Sequence, residues 1–217
     1  SHDGLFRRLA NYGGFSVLSV DYRLAPEHKF PAAVDDAYAV LRWVQEHGAE
    51  KGLDSSKIAV AGDSSGGNLA AVAVQDAKRE GTPLPLFQLL IYPTIDANFT
   101  APSHTLFASG FFLTSEKMNW YRDHYLNTAE DRNHERASPG LTEDLTGLPP
   151  ALIITAGFDP LRDEAEEYAG RLKEAGVPVG VIRHEGMVHG FMSLTGLLPE
   201  AEEALQTAAA TVKSVLE

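Results

Sequence analysis

The chain has 217 residues, of which 44% are hydrophobic, so it is long enough for one sizeable core and short for two. Its formal net charge of −12 argues against a nucleic acid or an anionic membrane surface as partner, because phosphate groups are bound by basic patches. It has no cysteine, which excludes disulfides and thiolate metal sites, and no apolar run reaches the roughly 18 residues of a membrane helix.

Hydrophobic periodicity divides the chain into alternating helices and strands. The helical patterns lie at residues 3–10, 33–46, 65–81, 114–126, 160–175 and 201–216. The predicted strands lie at residues 15–20, 57–61, 86–92, 151–157 and 179–183. Several of them are unbroken apolar runs, which are typical of strands buried on both faces. The sequence therefore predicts an α/β fold with a mostly parallel sheet and helices on both faces.

Two stretches depart from this alternation. Residues 21–31 contain two prolines that forbid a continuous helix, so we predict an ordered loop. Residues 94–150 carry several phenylalanines but one clear helix, and they are too long for an ordinary connection. We interpret them as a cap-like insertion over a pocket, the alternative being a surface excursion with a small core of its own.

A serine stands at the centre of the pentapeptide Gly62-Asp63-Ser64-Ser65-Gly66, between the predicted strand at 57–61 and an apolar helical pattern. A Gly-x-Ser-x-Gly turn in this setting is typical of a nucleophile elbow, which displays Ser64, while Gly62 and Gly66 leave room for strand and helix to approach. Ser65 is excluded as nucleophile because its own frame would need a glycine at position 63. Its backbone N–H is instead a candidate oxyanion donor. A glycine-rich turn that binds phosphate is the alternative interpretation.

A serine hydroxyl needs a general base within hydrogen-bond reach. Two histidines follow the predicted strand at 179–183: His184 at its end, and His189 in a loop with small neighbours. A base must reach over Ser64, which favours His189.

The base needs an acid that orients it, and Asp159 follows the predicted strand at 151–157. An aspartate before a proline is also an ordinary helix N-cap, so this position alone does not decide the role. Asp163 and Glu164 are rival acids, but they lie further into the next helix.

Four motifs in one order resemble the hormone-sensitive-lipase-like esterases, bacterial family IV of the α/β-hydrolases. They are Asp21-Tyr22-Arg23-Leu24-Ala25-Pro26-Glu27-His28 with Phe30-Pro31-Ala32-Ala33, Gly62-Asp63-Ser64-Ser65-Gly66-Gly67-Asn68, Asp159-Pro160-Leu161-Arg162-Asp163-Glu164, and His189-Gly190-Phe191. The resemblance runs along the whole chain and implies an α/β-hydrolase fold. Carried onto matching positions, it implies Ser64 as nucleophile, His189 as base and Asp159 as acid, acting on short-chain acyl esters without a metal or organic cofactor.

The sequence also departs from the family pattern. Ser65 stands where the motif usually has alanine, which matters little if its backbone N–H does the work. The family's His-Gly-Gly-Gly oxyanion segment, its N-terminal cap helices and its first three strands match nothing in this sequence. Residues 1–217 therefore resemble the C-terminal two thirds of a single catalytic domain. We expect the strand at 15–20 either to lack a neighbour or to close on the elbow strand, and the chain alone to be poorly soluble or nearly inactive.

These observations lead to a serine carboxylesterase with a small acyl ester as substrate. An inactive remnant or small-molecule binding module is the alternative, because the oxyanion segment is absent, and a long-chain lipase is a weaker one. A cytoplasmic location is expected since no signal peptide is visible, and a homodimer is left open.

Overall fold

Four parallel strands form one sheet in the computed structural model, which describes residues 2–217. They are β1 (Ala59–Asp63), β2 (Phe87–Ile91), β3 (Ala151–Phe158) and β4 (Val179–Val188), and they lie side by side in chain order. The α-helices of the described residues are α1 (Asp3–Gly13), α2 (Ala32–His47), α3 (Ser65–Glu80), α4 (Pro102–Leu106), α5 (Ser115–Tyr125), α6 (Arg162–Glu174) and α7 (Pro199–Leu216). The α/β architecture expected from the alternation is confirmed.

Helices cover both faces of this sheet because side chains alternate along each buried strand. Leu152 and Ile154 of β3 face a core that α1 and α7 complete. Ile153, between them, faces a second core that includes side chains of α3 and α6. The apolar faces of α1 and α7, which include Leu5 and Leu205, are buried in the first of these cores.

The strand predicted at residues 15–20 is wrong, since these residues carry no strand pairing. Nor do they close on the elbow strand, because within residues 2–217 β1 pairs with β2 alone. Instead, Phe15 and Val17 are partly buried and pack against the core that α1 and α7 complete. An apolar pattern can favour a strand, but a strand forms only where a neighbour supplies hydrogen-bond partners.

The last strand is longer than predicted, since β4 continues through residues 184–188. This extension, His184-Glu185-Gly186-Met187-Val188, mixes polar and apolar residues without a regular alternation and is partly exposed, so hydrophobic periodicity does not reveal it. Its backbone passes so close to β3 that a Cβ on Gly157 would lie 2.1 Å from the carbonyl oxygen of Glu185. The register shifts at this point, between Ala156 and Phe158.

The long insertion at 94–150 lies against the carboxyl end of the sheet. Leu113 and Met118 form a small cluster with Leu161, which directly precedes α6. The ammonium group of Lys29, in the predicted loop at 21–31, donates to the carbonyl of Leu126 at 2.7 Å, beyond the end of α5. No helix within residues 2–217 is both long and apolar enough to cross a membrane.

Candidate active site

Ser64 connects the end of β1 to the start of α3 in a backbone conformation that L-residues rarely adopt. Its φ is 55° and its ψ is −119°, a strain of about 1–3 kcal/mol that surrounding contacts must offset. Its N–H donates to the carbonyl of Ile91 at 2.9 Å, and its own carbonyl accepts the N–H of Thr94 at 3.2 Å. Hydrogen bonds from the end of β2 and from the loop after it therefore hold the turn in place. The strained turn expected from the pentapeptide is present.

Glycines allow strand and helix to approach at this turn, but not quite the two that the motif suggests. A Cβ on Gly62 would lie 2.0 Å from the carbonyl oxygen of Gly66, and one on Gly67 would lie 2.7 Å from Cβ of Pro93. A Cβ on Gly66 would meet only Asp63 Oδ1, at 4.0 Å. Gly62 and Gly67 therefore make the close approach, and the expectation for Gly66 is wrong.

Two hydrogen bonds join Ser64, His189 and Asp159. The Ser64 hydroxyl lies 2.9 Å from His189 Nε2, and His189 Nδ1 lies 2.8 Å from Asp159 Oδ2. An ionised carboxylate can only accept, so Nδ1 carries the proton and Nε2 is left to accept from the hydroxyl. Asp159 is fully buried and His189 is 8% exposed, so little water competes for these bonds.

The strands position each of these side chains. His189 directly follows β4, and Asp159 directly follows β3. Because the carboxyl ends of parallel strands meet at one edge of the sheet, both reach the elbow after β1. The second oxygen of Asp159, Oδ1, accepts the N–H of Leu161 at 2.9 Å, which orients the carboxylate.

The rival residues are engaged elsewhere. His184 lies inside β4, where its Nδ1 is 3.0 Å from Glu200 Oε1. Asp163 pairs with Arg162 at 2.8 Å. Glu164 is buried against His104, and burial raises the pKa of its carboxyl group. None of the three forms a hydrogen bond with His189.

Ser65 is the first residue of α3. A backbone N–H in the first turn of a helix has no acceptor within the helix, so it is free to bind a negative charge that develops beside the turn. The motif's assignment of this N–H as an oxyanion donor stays a prediction.

Tyr92 is a site neighbour that the sequence reasoning missed. Its ring centroid lies 4.8 Å from that of His189, and its side chain is 1% exposed. Burial raises the pKa of its hydroxyl, so a neutral aromatic ring borders the imidazole. Its place directly after β2, the strand beside the elbow strand, is the signal that could have identified it.

A strained serine turn at the carboxyl edge of a parallel sheet, joined through a histidine to a buried aspartate, is the arrangement of an α/β-hydrolase. Chain order agrees, since serine, acid and histidine follow one another in that sequence. Within residues 2–217, no group of three or more His, Cys, Asp or Glu side chains is placed to hold a metal ion.

Known proteins support this class. Residues 1–193 match the α/β-hydrolase fold family. The carboxylic ester hydrolase LipN of Mycobacterium tuberculosis is 46% identical over 200 residues, which are 89% of this chain and 53% of the relative. The ethyl acetate hydrolase of Pseudomonas putida is 39% identical over 206 residues, which are 94% of this chain and 65% of the relative. The solved structure of a thermostable esterase from Pseudomonas putida is 44% identical with a TM-score of 0.97, covering 100% of this chain and 69% of that one.

The chain belongs to the hormone-sensitive-lipase-like esterases, bacterial family IV of the α/β-hydrolase superfamily. It spans 53% and 65% of the lengths of the two curated relatives described above.

Proposed function

We propose that this chain is the catalytic part of a serine carboxylesterase that hydrolyses short-chain acyl esters. The observation that carries the proposal is the hydrogen bond of 2.9 Å between the Ser64 hydroxyl and His189 Nε2, at the tip of the strained turn. Ser64 is the nucleophile, His189 the general base and Asp159 the acid that orients it. The backbone N–H of Ser65 is one donor to the oxyanion.

The reaction follows from these positions. Ser64 Oγ attacks the ester carbonyl carbon while its proton passes to His189 Nε2, and Asp159 stabilises the imidazolium through Nδ1. The proton then moves to the departing alkoxide, which leaves as an alcohol, and an acyl group remains on Ser64. Water attacks this acyl-enzyme, gives its proton to Nε2, and the acid departs as the proton returns to Ser64. Since His189 carries every proton, the cycle requires no metal or organic cofactor.

Of the contributions to the reaction rate, stabilisation of the oxyanion depends most on residues outside the Ser64, His189 and Asp159 group. The removal of one donor from such a site costs on the order of 10²–10³ in rate, about 2.7–4 kcal/mol. Ser65 supplies one donor, and the glycine segment that the family uses for the others has no counterpart in this sequence. We therefore propose that full activity needs oxyanion donors besides the Ser65 N–H.

We further propose that residues 94–150 cap the acyl pocket. Phe111 of the insertion stacks on Phe158 at the end of β3, with ring centroids 5.4 Å apart. Phe112 lies over Gly190, where a Cβ would be 3.7 Å from its ring. This aromatic wall beside His189 suits a short apolar chain, and the relative named for ethyl acetate supports the same substrate class.

A series of p-nitrophenyl esters tests this proposal. We expect kcat/KM for acetyl to hexanoyl esters to exceed that for the dodecanoyl ester by about tenfold or more, because a compact pocket rejects the longer chain. The chain with Ser64→Ala serves as the blank. A maximum at twelve carbons would indicate a lipase, and ester binding without turnover would favour the binding module.

A further inference from the structure

The carboxyl group of Glu164, in the first turn of α6, is enclosed and shared by three partners. The residue is 4% exposed, and its Oε1 accepts the N–H groups of Ile95 at 2.6 Å and Asp96 at 3.3 Å. Its Oε2 lies 2.6 Å from Nε2 of His104, which is 5% exposed. One side chain therefore joins α6, the loop after β2, and α4 of the insertion.

The loop after β2 is also the segment that holds the serine turn. Thr94 donates its N–H to the carbonyl of Ser64 at 3.2 Å, and its own carbonyl accepts from Asn68 Nδ2 at 3.0 Å. Ile95 is the next residue in the chain. The bond from Ile95 to Glu164 is therefore one residue away from the backbone that displays the hydroxyl.

The start of α6 is likewise the segment that carries the acid. Leu161 donates its N–H to Asp159 Oδ1 at 2.9 Å. Ser103 of α4 is fully buried there, where it donates to the carbonyl of Pro160 at 2.6 Å and accepts the N–H of Asp163 at 3.2 Å. The turn after Asp159 is therefore bonded to α4 as well as to Glu164.

We propose that Glu164 is a positioning residue, which sets the separation between the Ser64 turn and the Asp159 turn. The proposal rests on the proposed function. Glu164 forms no hydrogen bond with His189, so it acts through Ile95 on one side and α6 on the other. Its loss would let these segments drift, and the bonds of 2.9 Å and 2.8 Å through His189 would no longer form together.

Three substitutions of Glu164 separate the effect of where its side-chain oxygens lie from the effect of its charge. Glu164→Gln keeps the shape and can still accept from Ile95 and Asp96 while donating to the ring of His104. Glu164→Asp keeps the charge but withdraws the oxygens by one methylene, and Glu164→Ala removes every bond. Glu166→Ala is the matched control, because Glu166 lies on the same helix but bonds Thr155 and Arg183.

The readout is kcat per titrated site, with a fluorophosphonate counting the competent serines. We expect Glu164→Ala and Glu164→Asp to lower kcat about tenfold or more with KM within about twofold, because misplacement by about 1 Å is costly. Glu164→Gln and Glu166→Ala should stay within about threefold of the parent chain. If Glu164→Ala fails to fold, the comparison of Glu164→Asp with Glu164→Gln decides alone.

A role confined to folding would reduce the number of titrated sites and leave kcat per site unchanged, and this result would overturn the proposal. Equal losses of kcat per site in Glu164→Asp and Glu164→Gln would overturn it too. The low-field proton resonance of His189 Nδ1 gives an independent check. It is expected in the parent chain and in Glu164→Gln, and it should be lost or shifted in Glu164→Asp and Glu164→Ala. A parent chain that shows this resonance but no turnover would contradict the proposed function, while the comparison of resonances would still test Glu164.

Discussion

Replacement of Ser64 by alanine should lower kcat for a short aryl ester by roughly 10⁴- to 10⁶-fold. The Ser64 hydroxyl is bonded to His189 Nε2, and its loss leaves only a water molecule to attack the carbonyl. KM should change little, because the hydroxyl contributes to the transition state more than to the bound ester. The measurement is the initial rate at saturating substrate, with circular dichroism as the folding check.

The neighbouring serine is the matched control. Ser65 is proposed to act through its backbone N–H, which every substitution except proline retains, so Ser65→Ala should remain within a few-fold of the parent rate. It also stands where the family motif usually has alanine. A large loss at Ser65 with a small one at Ser64 would reverse the assignment of the nucleophile.

Replacement of His189 by alanine should have a comparable effect, a loss of roughly 10⁴- to 10⁶-fold in kcat, since the members of a triad act as a unit. In the proposed reaction the imidazole takes the proton in both halves, and within the described residues 2–217 no other histidine forms a hydrogen bond with the Ser64 side chain. Steady-state rates of His189→Ala and of the parent chain, both of which retain Ser64, measure this loss directly.

His184→Ala serves as its control. His184 bonds Glu200 at 3.0 Å and packs on Phe191, so its loss should lower the free energy of unfolding by about 1 kcal/mol while kcat changes little. Similar modest losses at His184 and His189 would contradict the assignment of the base.

Much of the candidate site could be predicted because each of its residues directly follows a strand of the parallel sheet. The strand assignments and the rule that parallel strands end at one edge narrow the candidates, and the order of the four sequence motifs selects Ser64, Asp159 and His189 among them. The end of α3 was similarly accessible, since Gly81 follows it in the left-handed conformation, whereas α1 continues to Gly13, three residues beyond the predicted pattern.

Features that depend on distant neighbours could not be predicted from local pattern. Residues 15–20 have a strand-like sequence but no partner, whereas residues 184–188 lack the pattern and pair because β3 lies beside them. The enclosed partners of Glu164 lie 60 and 69 positions away along the chain, at His104 and Ile95. Its place in the first turn of a helix suggested only a rival acid.

The roles of the glycines show the same limit on a smaller scale. The motif contains Gly62 and Gly66, but besides Gly62 the glycine at which a side chain is excluded is Gly67, which lies against Pro93, a residue beyond β2. A pentapeptide read alone cannot reveal which of its small residues a distant segment will approach.

The reaction of the chain with a fluorophosphonate tests the central claim most directly, because the reagent forms a stable bond only with an activated serine. After digestion, mass spectrometry should locate one adduct per chain on Ser64, retained in Ser65→Ala and absent from Ser64→Ala. An adduct on another residue, or labelling that persists in Ser64→Ala, would contradict the account.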